Sequence, residues 1–146
     1  MRTAVIIPAF NEADALPGVL ADLATQVPDH QVIVVDDGSS DDTHLAAVAG
    51  GAVCLRLPFN LGIGGALRLG FRHAVNEGYD RAYQFDADGQ HDATQVSVLL
   101  EALDQADMVI GSRFADDRGY QVGHSRGMAM ALLRRLVRIT SGQQFT

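Results

Sequence analysis

The chain has 146 residues, 47% of them hydrophobic and 20% charged, which suits one domain with a proper core and excludes a disordered chain. A net charge of −7 excludes a general nucleic-acid binder, which would carry a basic footprint. The single cysteine, Cys54, excludes a disulfide framework, and no apolar run reaches the roughly 18 residues of a membrane span.

Apolar runs alternate with helical patterns along the chain. "TAVIIPAF" reads as a buried strand, and Leu16, Val19, Leu20 and Leu23 then recur at helical spacing, with Pro17 in the first turn, where its missing N–H costs little. "QVIVVDD" is a second strand. "GSSDDTH" is rich in N-cap residues and leads into a short helix through Leu45 and Val48. "AVCLRL" is a third strand, with Cys54 read as a buried residue within it. "NLGIGGALRLGFRHAVNEG" opens on glycines and becomes a helix whose expected inner stripe is Leu67, Phe71, Ala74 and Val75. "RAYQFDAD" is a fourth strand; Val96, Leu99, Leu100 and Leu103 mark a helix; "DMVIGSRF" is a fifth strand; a last helix spans Arg126 to Thr140. The chain then stops in polar "TSGQQFT", so the expectation is a single domain over 1–146 that is incomplete at its C-terminus. The N-terminal apolar stretch is too short for a signal peptide, which makes the cytoplasm the default compartment.

Regular alternation of strand and helix predicts an α/β fold: a mostly parallel sheet with helices on both faces. Such sheets bind ligands beyond the C-terminal ends of their strands, and the polar clusters fall at those ends. Asp86 and Asp88 stand two apart on a strand and so share a face. Two carboxylates there repel unless a cation lies between them, and all-oxygen ligation, with Gln90 adding a carbonyl, suits Mg²⁺ or Mn²⁺. The plainer alternative for so short a pattern is an acidic surface turn cornered at Asp88-Gly89, with His91 a turn residue. Asp36 and Asp37 are adjacent and face opposite sides, so one can reach the crevice while the other holds the "GSSDD" turn. Gly62, Gly64 and Gly65 at a helix start allow close backbone approach, but Leu67 stands where a dinucleotide fingerprint needs a third small residue. Arg113 and Arg126 are guanidinium groups that can match phosphates, or solvated surface arginines.

Taken in order, "IIPAFNE", "VIVVDDGSSDDT", "NLGIGGALRLGF", "QFDADGQHD" and "VIGSRF" resemble the nucleotide-sugar half of family two glycosyltransferases, in particular the dolichyl-phosphate mannose synthase-like branch. The resemblance covers about the first 115 residues closely. It implies a GT-A (Rossmann-like) fold and transfer of a hexose, with inversion, from a GDP- or UDP-sugar to a polyprenyl phosphate of the cell envelope. It implies nucleotide contacts from Pro8, Phe10, Glu12, Asp37, Gly62 and Asp86. It implies a Mg²⁺ or Mn²⁺ site at Asp86, Asp88 and Gln90, with Asp88, Arg113 and Arg126 acting on the diphosphate. The helix from Arg126 would then lie at the cytoplasmic face of the membrane, or pack on the core with a solvated basic face. Two other readings remain: a truncated domain that binds nucleotide-sugar without turnover, and a nucleotidyltransferase, which would show a basic glycine-rich loop where this chain has "PAFNEAD".

Overall fold

The structure, a computed structural model, describes residues 1–87 and 96–111. Their regular elements are β1 (Thr3–Ala9), α1 (Leu16–Gln26), β2 (Gln31–Asp36), α2 (Thr43–Ala49), β3 (Val53–Arg56), α3 (Ile63–Asn76), β4 (Arg81–Gln84) and α4 (Val96–Ala102). All of them fall in one compact unit, Met1–Gln105.

The four strands form one parallel sheet in the order β3-β2-β1-β4. Every connection is a crossover carrying a helix, as parallel pairing requires. The sheet divides two apolar layers. Val5, Ile7 and Val34 face Leu16, Leu20 and Leu23 of α1 and Ala47 of α2, while Ala4, Ile6, Ile33 and Val35 face Ala66 and Ala74 of α3. β1 and β2 are central and read as continuous apolar runs because both faces are covered. Each fully buried Val, Leu or Ile contributes about 1.5–3 kcal/mol relative to exposure. The expected stripe of α1, Leu16, Val19, Leu20 and Leu23, is buried, and Pro17 lies in its first turn.

Four expectations change. The inner stripe of α3 is Ala66, Gly70 and Ala74, while Phe71 is 37% and Val75 74% exposed. Gly70 faces the sheet so closely that a Cβ there would overlap Ile6 Cγ2, so small residues, not large ones, take the inner positions. Cys54 is half-buried, because β3 is the edge of the sheet. The described part of the expected fifth strand, residues 107–111, has no strand; Met108 and Ile110 are exposed and pair with no neighbour among the described residues. β4 is also shorter than "RAYQFDAD" suggests, although Phe85 N still donates to Ile6 O at 3.0 Å.

That last bond shows that Ile6 presents its backbone polar groups to β4, and Pro8, two residues on, faces the same side. The β1–β4 register ends at Ile6↔Gln84, so the missing N–H of Pro8 removes no rung of that ladder.

Candidate functional site

The strand order reverses at β1: the chain moves from β1 outward through β2 to β3, then returns to place β4 on the other side. Open α/β sheets carry their crevice at such a reversal, beyond the strand C-termini. Here a cleft of about 240 Å³ opens at the ends of β1, β2 and β4 and is walled by the start of α3. Pro8, Phe10, Glu12, Asp37, Gly62 and Asp86 all line it. These are the six expected nucleotide-contacting residues, drawn from the end of β1 and from the loops that follow the four strands. Asp88, Gln90, Arg113 and Arg126 lie outside the described residues.

Two adjacent acids divide their work as their alternation demands. Asp36 is fully buried on the α1–α2 face, where its Oδ1 accepts from Ser39 N at 2.8 Å and so closes the turn after β2. Arg56 Nε lies 3.3 Å from Asp36 Oδ2, an ion pair without hydrogen-bond alignment. Asp37 turns to the cleft, and its Oδ1 accepts from Leu61 N at 2.7 Å, which binds the β3–α3 loop to the end of β2. The two loops meet closely at Gly38, which has φ +75°; a Cβ there would lie 2.6 Å from the Phe59 carbonyl carbon. Gly62 is the N-cap of α3, and its N–H is taken by Asn60 Oδ1 at 2.9 Å. Asp86 Oδ1 accepts from Gln84 Nε2 at 2.8 Å, on the face opposite buried Phe85 and Ala87.

A set of residues missed by sequence reading shapes the loop that carries Phe10 and Glu12. Three successive amides, of Asn11, Glu12 and Ala13, donate to Ser39 Oγ (3.0 Å), Thr43 Oγ1 (2.8 Å) and Asp41 Oδ2 (3.1 Å). Asn11 adopts φ 56°, and its Oδ1 accepts in return from Ser40 N at 2.9 Å. The loops after β1 and β2 are therefore laced together. The hydrogen bond from the Thr43 hydroxyl holds Asp41 below the ordinary carboxylate range, aided by the Ala13 and Thr43 amides against its partial desolvation. This carboxylate stands one residue ahead of the N-cap of α2, Asp42, whose own side chain makes no cap bond. "GSSDDT" therefore caps its helix less than expected and braces the neighbouring loop more.

Cys54 Sγ lies 3.2 Å from His44 Nδ1, away from the cleft. Burial, reinforced by the charge of Asp36, pushes its thiol pKa up, so it is not a nucleophile in waiting. Among the described residues no group of three His, Cys, Asp or Glu side chains could hold a metal ion. Asp86 is the described member of the expected metal set, and its carboxylate borders the cleft as such a set needs.

Comparison with known proteins agrees with this fold. A family model described as "Glycosyl transferase family 2" matches residues 4–143. An undecaprenyl-phosphate mannosyltransferase of Micrococcus luteus is 43% identical over 118 residues, covering 77% of this chain and 49% of that protein. A polyprenol monophosphomannose synthase of Mycolicibacterium smegmatis is 38% identical over 77% of this chain and 45% of that protein. The chain thus spans about half the length of these curated relatives. Among solved structures, a mannosyltransferase from Pyrobaculum calidifontis in complex with GDP-Man and Mn²⁺ superposes with a TM-score of 0.62 at 26% identity, over 75% of this chain and 34% of that one. Glucosyl-3-phosphoglycerate synthase from Mycobacterium tuberculosis, in complex with Mn²⁺, UDP and its product, gives a TM-score of 0.58 at 28% identity over 70% and 39% of the two chains. The parallel sheet with helices on both faces is of the GT-A type.

Proposed function

The chain belongs to glycosyl transferase family 2, and from that premise we propose that it transfers a hexose from a nucleoside-diphospho-sugar to a polyprenyl phosphate. The observation that carries this reading is the convergence of Pro8, Phe10, Glu12, Asp37, Gly62 and Asp86 on one cleft at the reversal of strand order. The names of the Micrococcus and Mycolicibacterium relatives support a lipid phosphate as acceptor and a mannosyl donor.

In this proposal Asp37 accepts from a base N–H or a ribose hydroxyl, and Phe10, about half exposed at the cleft, offers an aromatic face to the nucleotide. Asp86, with Asp88 and Gln90, holds Mg²⁺ or Mn²⁺, which when bound supplies positive charge to the diphosphate. Arg113 and Arg126 add guanidinium groups for the same phosphates. An oxygen of the acceptor phosphate bonds to the anomeric carbon as the bond from that carbon to the diphosphate oxygen breaks, releasing the nucleoside diphosphate. The acceptor is already an anion, so the attack needs no proton removed. A chain position on the cytoplasmic face of a membrane follows from such an acceptor; among the described residues no helix is long and apolar enough to cross one.

The test is a calorimetric titration with GDP, UDP, GDP-mannose and UDP-glucose, with and without Mn²⁺, followed by transfer from labelled donor to a polyprenyl phosphate in detergent. Saturable, metal-enhanced binding of one nucleotide and label in the lipid fraction are expected. Absence of any nucleotide binding overturns the reading. Binding without transfer leaves a nucleotide-sugar-binding domain.

A further inference from the structure

Because α3 sets Ala66, Gly70 and Ala74 against the sheet, it turns its larger residues outward. Arg68, Phe71, Arg72 and Val75 recur at spacings of three and four and so share its outer face. Val75 is 74% exposed, and the loop entering the helix adds Phe59 (63%) and Leu61 (52%), with Leu61 packed over Gly65. The arginines of this face are set apart from the others described. Arg2 donates to Glu77 O and lies over the Tyr79 ring, Arg56 pairs with Asp36, and Arg81 pairs with Asp104. Arg68 and Arg72 alone, among the described residues, have no such partner. In a chain of net charge −7 carboxylates are plentiful. Two unpaired arginines one turn apart, interleaved with exposed apolar side chains, therefore form a local basic and apolar face on an acidic molecule.

We propose that this outer face of α3 is a docking surface for an anionic lipid bilayer. Headgroup phosphates take Arg68 and Arg72, and Phe71, Val75, Phe59 and Leu61 enter the interfacial region. Neither signal suffices alone: the apolar area is small and two cations bind an anionic surface weakly, but the two together are the usual combination for reversible membrane association. The negative charge of the rest of the chain is repelled by the same surface, which orients the molecule with α3 toward it. The proposal rests on the transferase reading, because a lipid-phosphate acceptor can reach the cleft only if the cleft faces the bilayer. The first turn of α3 supplies both requirements: Gly62, Ile63 and Ala66 wall the cleft, and the outer face begins one turn further on.

The experiment is co-sedimentation with vesicles of phosphatidylcholine, and with vesicles of equal parts phosphatidylcholine and phosphatidylglycerol. The chain is expected to partition onto the anionic vesicles alone, less so as salt is raised. The double variant Arg68→Glu/Arg72→Glu should lose at least ~tenfold in partitioning, and Arg68→Lys/Arg72→Lys should keep most of it. Neither variant touches the cleft, so both should bind nucleotide as the parent chain does, and circular dichroism should show the same fold. No partitioning by the parent chain overturns the proposal. Partitioning unchanged by charge reversal also overturns it and assigns the membrane contact to the segment 126–140. Lipid-independent self-association that the double glutamate variant abolishes makes the face an interface between copies, and overturns it too. Failure of the transferase reading shows separately, as absent nucleotide binding or as binding without transfer, whatever the chain does on vesicles.

Discussion

Asp36 and Asp37 differ in position by one residue and in surroundings by a whole sheet face. Asp36 is buried with its carboxylate spent on the turn, and Asp37 is nearly as buried but borders the cleft. Removing Asp36 should therefore act on stability. Asp36→Ala leaves the Ser39 amide without its acceptor and should cost about 1–3 kcal/mol in urea unfolding, since a buried polar group left unpaired costs that much. Removing the charge of Asp37 should act on ligand. Asp37→Asn keeps an oxygen for Leu61 N but loses the anionic acceptor, and should weaken GDP or UDP by roughly tenfold, a charged hydrogen bond's worth. The loss should be the same with and without Mn²⁺ in calorimetry. If only diphosphate-containing ligands lose affinity and nucleosides do not, Asp37 does not read the base or ribose.

At the scale of elements, contacts between loops decide the shape of the cleft more than the elements themselves do. The lacing of the Asn11–Ala13 amides to Ser39, Asp41 and Thr43 holds Phe10 and Glu12 where they line the cleft. Thr43→Val should weaken nucleotide binding roughly tenfold by leaving the Glu12 amide unpaired, and Thr43→Ser, which keeps the hydroxyl, should restore it. The lowered pKa of Asp41 sets a pH limit on the same lacing. A carboxylate whose folded pKa is depressed contributes stability above its unfolded value, and that contribution is lost as pH falls through the folded one. The acid-side loss of nucleotide affinity should accordingly move to lower pH when Asp41 is made Asn, measured by titration below the ordinary carboxylate range. The helix α3 gives a second element-scale prediction. Gly70→Ala adds a methyl against Ile6 and Val35, and overpacking of about 1–3 kcal/mol should exceed the helix-propensity gain of about 1 kcal/mol. Urea unfolding should show a lower midpoint with an unchanged slope.

Across the whole molecule, function and part of the stability lie at opposite ends of one sheet. The cleft lies beyond the strand C-termini, whereas His30, just before β2, pairs through Nδ1 with the Tyr83 hydroxyl at 3.1 Å, and the rings meet edge to face at 5.7 Å. Burial lowers the pKa of His30, opposed by the charge of Asp29, and burial raises that of Tyr83. The unfolded chain thus takes up the histidine proton first as pH falls, so stability declines through the ordinary histidine range. The decline should be modest, because His30 is only partly buried and the charge of Asp29 opposes the shift, and should be absent in His30→Gln. Nucleotide affinity at neutral pH should be the same in that variant as in the parent chain, since neither His30 nor Tyr83 lines the cleft.

Local patterns were enough to order the elements and to mark which loops carry chemistry. Strand and helix periods depend on a few neighbouring residues, and in a parallel sheet the functional loops must follow the strands. That is why "PAFNE", "DDGSSDD", "NLGIGG" and the Asp86 stretch could be assigned to one crevice before any contact was known. The phase of α3 was not legible, because Leu67, Phe71 and Val75 make as good an apolar stripe as Ala66, Gly70 and Ala74. Only the closeness of the helix to Ile6 and Val35 selects the small residues. The edge position of Cys54 depended on strand order, which periodicity does not contain. The bracing roles of Ser39, Asp41 and Thr43 were not legible, because "GSSDDT" reads as a helix cap and their partners lie about 30 residues away in the chain, and a hydrogen bond is defined by both ends. What tertiary structure decided is thus what depends on distance between segments: which of two adjacent acids faces the cleft, which stripe of a helix is inside, and which loop holds another in place.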